Sequence, residues 1–97
     1  MDITKTIYQT IDQINQGLPP KNQIKKSPAA KIWGKGGSLD SLNLVRFIVS
    51  LEERIEKDFK MQINLADEKS FSVKESPFLD VKSLSEHIKV LLEQKNA

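Results

Sequence analysis

Ile3, Ile7, Ile11 and Ile14 follow one another at spacings of four, four and three, separated almost entirely by polar residues. That period lays one apolar stripe along a helix and predicts it over about residues 2–16. Gly17 is a natural stop. Leu18-Pro19-Pro20 prevents continuation, because proline cannot donate the helical hydrogen bond and biases the residue before it away from helix. No period holds over the next twenty or so residues, an uncommon length for a connection in a compact domain. Ile24, Ile32 and Trp33 are its candidate anchors on a core, with Trp33 read as a lid over the helices in preference to a contact for a partner.

The helical period resumes at Ser41 and runs to about residue 58. Val45, Ile48, Leu51 and Ile55, joined by Phe59, are expected to face the core, with Leu42, Leu44 and Val49 off the centre of that stripe. Beyond Phe59, Ala66-Asp67-Glu68-Lys69-Ser70-Phe71 predicts a short helix with acids in its first turn, and Pro77 ends what precedes it. Ser83-Leu84-Ser85-Glu86 has the form of a capping box, so a last helix is expected over about 84–94, burying Leu84, Ile88, Leu91 and Leu92. The pattern is all-α: three longer helices and a short third one, in a single domain spanning 1–97.

Composition narrows the chemistry. A chain of 97 residues supports one small core and no roomy cleft between domains, and it has no cysteine for a disulfide, a zinc cluster or a thiol nucleophile. His87, the single histidine, is read as a packing or surface residue; no metal site and no catalytic residue is expected. No segment approaches the roughly 20 apolar residues of a membrane span, and the start of the chain lacks the form of a targeting peptide. A cytoplasmic, monomeric protein without membrane insertion is the expectation.

The formal net charge of +2 conceals an asymmetry: residues 1–38 carry +4, residues 39–68 carry −3 and residues 69–97 carry +1. The lysines at 21, 25, 26, 31 and 35 are scattered among Pro, Ser and Ala with no aromatic interleaving, so they read as a solvated loop and not as a nucleic-acid surface. The acidic middle is where partners are expected, with its field acting mainly on association rate.

Within that middle, Gly36-Gly37-Ser38-Leu39-Asp40-Ser41-Leu42 opens the second long helix. Asp40 is a good N-cap, which puts Ser41 in the first turn with its hydroxyl outward and near the positive end of the helix dipole. Such a position suits a modified serine, although Asp-Ser-Leu alone marks no more than a helix start. The run from Leu39 through Ile55, including Leu51-Glu52-Glu53, resembles the second helix of acyl and peptidyl carrier proteins, and the order of the remaining elements matches theirs over nearly the whole chain. The segments Ile63-Asn64-Leu65-Ala66-Asp67-Glu68 and Ser76-Pro77-Phe78 are similar to a group of stand-alone carriers.

The resemblance implies a four-helix bundle of the acyl-carrier type, with a long loop between helices one and two. It implies a 4'-phosphopantetheine arm, derived from coenzyme A, on Ser41, making the chain a phosphoprotein whose arm holds acyl or aminoacyl groups as thioesters. Asp40 and Leu42 would flank the attachment point. Arg46, Val49, Glu52 and Glu53 would meet partners: a phosphopantetheinyl transferase, a loading enzyme, and a downstream synthase or transferase of fatty acid, polyketide or related biosynthesis. Leu42 and Val49 are the apolar recognition candidates; the simpler reading, that these off-centre residues widen the buried stripe, weighs equally for Leu44 and less for Leu42 beside the serine. Glu52 and Glu53 are docking contacts or solvated charge. Two features depart from the family pattern: the basic first third, and Arg46 where fatty-acid carriers usually keep an acid. The chain would then be no enzyme. The alternatives from other classes are an unmodified helical interaction module and, against the acidic serine helix, a nucleic-acid binder.

Overall fold

In a computed structural model, which describes residues 2–96, the chain forms three α-helices joined by two long connections. These are α1 (Ile3–Asn15), α2 (Ser41–Phe59) and α3 (Val81–Asn96), with 3-10 turns at Pro20–Asn22 and Glu68–Phe71. Among the described residues there is no β-strand, only an isolated bridge between Lys31 and Asp80. α1 packs against both α2 and α3.

The isoleucine stripe of α1 behaves as its spacing requires: Ile7 and Ile11 are fully buried, with Ile3 and Ile14 packed against the same core. Asp2 caps the helix by accepting from the amide of Lys5 at 2.9 Å. Two threonines share the buried face, which hydrophobic periodicity does not reveal. Thr10 Oγ1 donates to the Thr6 carbonyl at 2.9 Å, and Thr6 Oγ1 donates to Asp58 Oδ2 at 2.8 Å, tying α1 to the end of α2.

Three expectations need correction. The first concerns which face of α2 is buried. Val45 is 43 % exposed, whereas Leu44 is fully buried alongside Phe47, Ile48, Leu51 and Ile55. Leu44 lies four residues before Ile48 and directly in line with it, while Val45 falls toward the rim. The edge-to-face contact of Phe47 with Phe78, ring centres 6.1 Å apart, turns the helix further toward the Phe47 side.

The second concerns the short third helix. No α-helix forms there: Glu68–Phe71 is a 3-10 turn, so the described residues hold three α-helices and no fourth. Asp67 and Ser70 form a reciprocal capping box around it, and the Ser70 hydroxyl also donates to the Leu65 carbonyl. A segment held this tightly by side-chain acceptors has little room for a full α-turn.

The third concerns the start of the last helix. α3 begins at Val81, not near residue 84, and its cap is Asp80, whose Oδ1 accepts from the amide of Ser83 at 2.8 Å. Ser83 is therefore inside the first turn and is not the capping residue. The additional turn buries Val81, which is 1 % exposed, beside Leu84, Ile88 and Leu92.

Candidate functional site

Ser41 is the first residue of α2 and is exposed. Asp40, in extended conformation, holds it there: Oδ1 accepts from the amide of Asn43 at 2.8 Å, and the Asp40 carbonyl accepts from the amide of Leu44 at 2.9 Å. The Ser41 and Leu42 amides have no intrahelical acceptor by position and add to the positive potential at this end. The fit to a phosphodiester on Ser41 Oγ lies in these donors together with an open, uncrowded hydroxyl.

The approach to Ser41 is a small closed loop. Leu39 N–H donates to the Ile32 carbonyl at 3.0 Å, and Gly37 N–H donates to the Gly34 carbonyl at 2.9 Å. Gly36, at φ 81°, takes the third position of that turn, where a left-handed residue is required. At Gly37 any Cβ would stand 2.6 Å from the backbone of Trp33. The glycines before the serine thus build a compact turn, and looseness is not their contribution.

This loop is fastened to the start of α3. Ile32 N–H donates to the Leu79 carbonyl at 3.0 Å, Val81 N–H to Ala30 at 3.1 Å and Lys82 N–H to Pro28 at 3.0 Å. Trp33 packs partly buried on the core and stands edge-on to Phe71, with ring centres 6.4 Å apart, as expected of a lid over the helices. Asp80 sits in the seam. The Ser83 amide it accepts holds its carboxyl below the ordinary aspartate value, with Lys31 and Lys82 assisting and partial burial opposing.

The remaining candidates divide by exposure. Leu42 is 60 % and Val49 47 % exposed, and Val45 joins them, so three apolar side chains face outward at spacings of three and four just beyond Ser41. Arg46 and Glu53 are exposed beside them. Glu52 differs: half-buried, its Oε2 accepts from the amide of Leu65 at 2.7 Å, which fastens the chain beyond α2 to the middle of that helix. Its neighbour Glu53 has the freer carboxylate. His87 is half-buried, and no group of three acidic, histidine or cysteine side chains that could hold a metal ion occurs among the described residues.

A depression near the far end of α2, lined by Glu53, Glu56, Lys57, Lys60 and Gln62, has charged walls of both signs and lies away from Ser41. A groove of about 440 Å³ lies nearer, between the exposed valines of α2 and the end of α1. No described helix is long and apolar enough to cross a membrane. Comparisons with protein-family models, with curated proteins and with solved structures found no match.

Proposed function

We propose that the protein is an acyl carrier whose Ser41 bears a 4'-phosphopantetheine arm. The observation that carries this reading is an exposed serine at the first position of a capped helix, on a fixed turn, with Leu42, Val45 and Val49 outward beside it. The 3-10 turn at Glu68–Phe71 stands in chain order where the short third helix of the acyl-carrier bundle would stand.

In loading, Ser41 Oγ forms a bond to the pantetheine-side phosphorus of coenzyme A. The bond from that phosphorus to the bridging oxygen breaks, 3',5'-adenosine bisphosphate leaves with the electron pair, and the hydroxyl proton passes to a base of a separate magnesium-dependent transferase. Once bound, the group supplies a terminal thiol that holds an acyl or aminoacyl chain as a thioester. Asp40 keeps the first turn of α2 intact, and the free amides there favour the negative charge of the diester by about 0.3–1 kcal/mol. Leu42 and Val49 offer apolar contact to the transferase, to a loading enzyme and to a downstream synthase or transferase, with Arg46 and Glu53 selecting among them by charge. The tether raises the effective concentration of the cargo at each docked enzyme. A cytoplasmic setting and a monomer agree with this role.

The exposed apolar stripe also suits an unmodified interaction module. Intact-protein mass spectrometry separates the two: incubation with coenzyme A, magnesium and a broad-specificity phosphopantetheinyl transferase adds one phosphopantetheine mass to the protein and none to Ser41→Ala. Loading of the Ser41→Ala variant, or no gain in the folded original with two different transferases, would remove the carrier reading.

A further inference from the structure

Ser41, Val45 and Val49 are spaced four apart, so their side chains lie one above another along α2. At 1.5 Å per residue, Val49 is about 12 Å along the helix from the serine. On this line the valines reach one side of the groove of about 440 Å³, whose opposite side is formed by Ile14 and Gly17 at the end of α1. That volume lies in the range of about 300–1,000 Å³ typical of small-molecule sites.

The groove has a charge of one sign. Arg46 is the only ionised side chain lining it, with Asn43 as a neutral neighbour. Among the described residues the one ion pair is Lys26 with Asp12, so the Arg46 guanidinium has no carboxylate partner. Guanidinium groups are suited to bidentate pairing with a carboxylate. The core behind the serine offers a tethered chain little space, since Leu44, Phe47, Ile48 and Phe78 are each at most 1 % exposed and packed together.

We infer that the groove between α2 and the end of α1 is a resting site for the group tethered at Ser41, and that it is matched to a short acyl chain ending in a carboxylate. The methylenes lie against Val45, Val49 and Ile14, and the carboxylate pairs with Arg46. This inference rests on the carrier reading.

The test uses the full chain with methyl-labelled Ile and Val, loaded by a transferase from succinyl-coenzyme A or butyryl-coenzyme A, which differ at the end of a four-carbon acyl group. Intact mass reports loading, and methyl and arginine side-chain NMR spectra report contact. The succinyl form is expected to shift the Ile14, Val45 and Val49 methyls at least twice as far as the butyryl form and to move the Arg46 Nε–H signal. In Arg46→Gln, whose position is exposed and whose fold the remaining spectrum monitors, the two forms are expected to give equal shifts. A mass gain that leaves the Ile14, Val45 and Val49 methyls unshifted, or that instead shifts the buried Ile48 and Val81 methyls, overturns the groove assignment and leaves the carrier reading standing. Groove shifts that ignore both the terminal carboxylate and Arg46→Gln overturn the proposed cargo class. Absence of any mass gain in the unsubstituted protein overturns the carrier reading and this inference with it.

Discussion

The connections before and after α2 are of similar length, and the side chains that hold their middles differ. The first, from Gln16 to Asp40, is pinned by apolar side chains at intervals: Leu18, Ile24, Ile32 and Leu39 are all buried. The second, from Lys60 to Asp80, buries Ile63 and Leu65 near its start and Phe78 near its end, while its middle is held by hydroxyls and carboxylates. There Ser70 serves both the Leu65 carbonyl and the Asp67 amide, and Ser76 donates to the Ser70 carbonyl while accepting from Phe78 N–H. Apolar anchors couple a loop to the whole core. Polar stitches mostly fix a segment to itself, so losing one is felt locally.

The largest expected effect tests the first half of that contrast. Ile32→Ala removes a fully buried side chain, and denaturant unfolding should show a loss of about 2–5 kcal/mol. A loss under 1 kcal/mol would mean that the loop is not part of the cooperative core. Ser70→Ala leaves the Leu65 carbonyl and the Asp67 amide short of a partner, at a cost of about 1–3 kcal/mol. Hydrogen exchange should accelerate mainly over residues 65–78, with the unfolding midpoint moving less than in Ile32→Ala; an equal shift of the midpoint would erase the distinction between the two connections.

A smaller effect, of opposite sign, is expected where the second connection begins. Lys60 adopts φ 58° while its amide donates to Glu56, a left-handed cap that glycine takes without strain. Lys60→Gly should therefore gain about 0.5–1 kcal/mol in the same assay; a loss would show that the Lys60 side chain contributes more than its backbone strain costs. The smallest effect lies at Asp80, where the two connections meet. Its folded carboxyl is depressed below the ordinary 3.8, so its contribution is present above that value and fades as pH falls through the lower folded value. Asp80→Asn should flatten the fall in stability in that acid range and leave the slope between pH 5 and 7 alone. An unchanged acid limb would place the titrating groups elsewhere.

The same contrast explains what the sequence disclosed. Ile7, Ile11, Ile48, Leu51, Ile55, Leu84 and Ile88 are legible because burial repeats with the helical period, and Ile24 and Ile32 because isolated β-branched residues in a polar loop have few other uses. The exposure of Ser41, Leu42 and Val49 was equally readable from the cap and the phase of α2. The period places Val45 in the core and leaves Leu44 open between core and surface, because a one-residue difference at the rim of a stripe is decided by the neighbour, here Phe78 on Phe47. Ser83 resembled a cap because Ser-x-x-Glu fits locally, yet Asp80 offers the stronger acceptor one turn earlier. The clamp of Asn15 on both backbone groups of Ile24, and that of Glu52 on Leu65, join residues with no shared period, so no pattern announces them.

The bonds from residues 28–32 to residues 79–82 also set an order of events during synthesis. The strand of chain that leads into Ser41 emerges from the ribosome early, but its fasteners at Leu79, Val81 and Lys82 are made some fifty residues later. Contacts so distant in sequence form late. Until residues 79–82 have emerged, Ser41 rides on a turn closed only by its own Gly37–Gly34 and Leu39–Ile32 bonds, and the frame that presents it is completed after them.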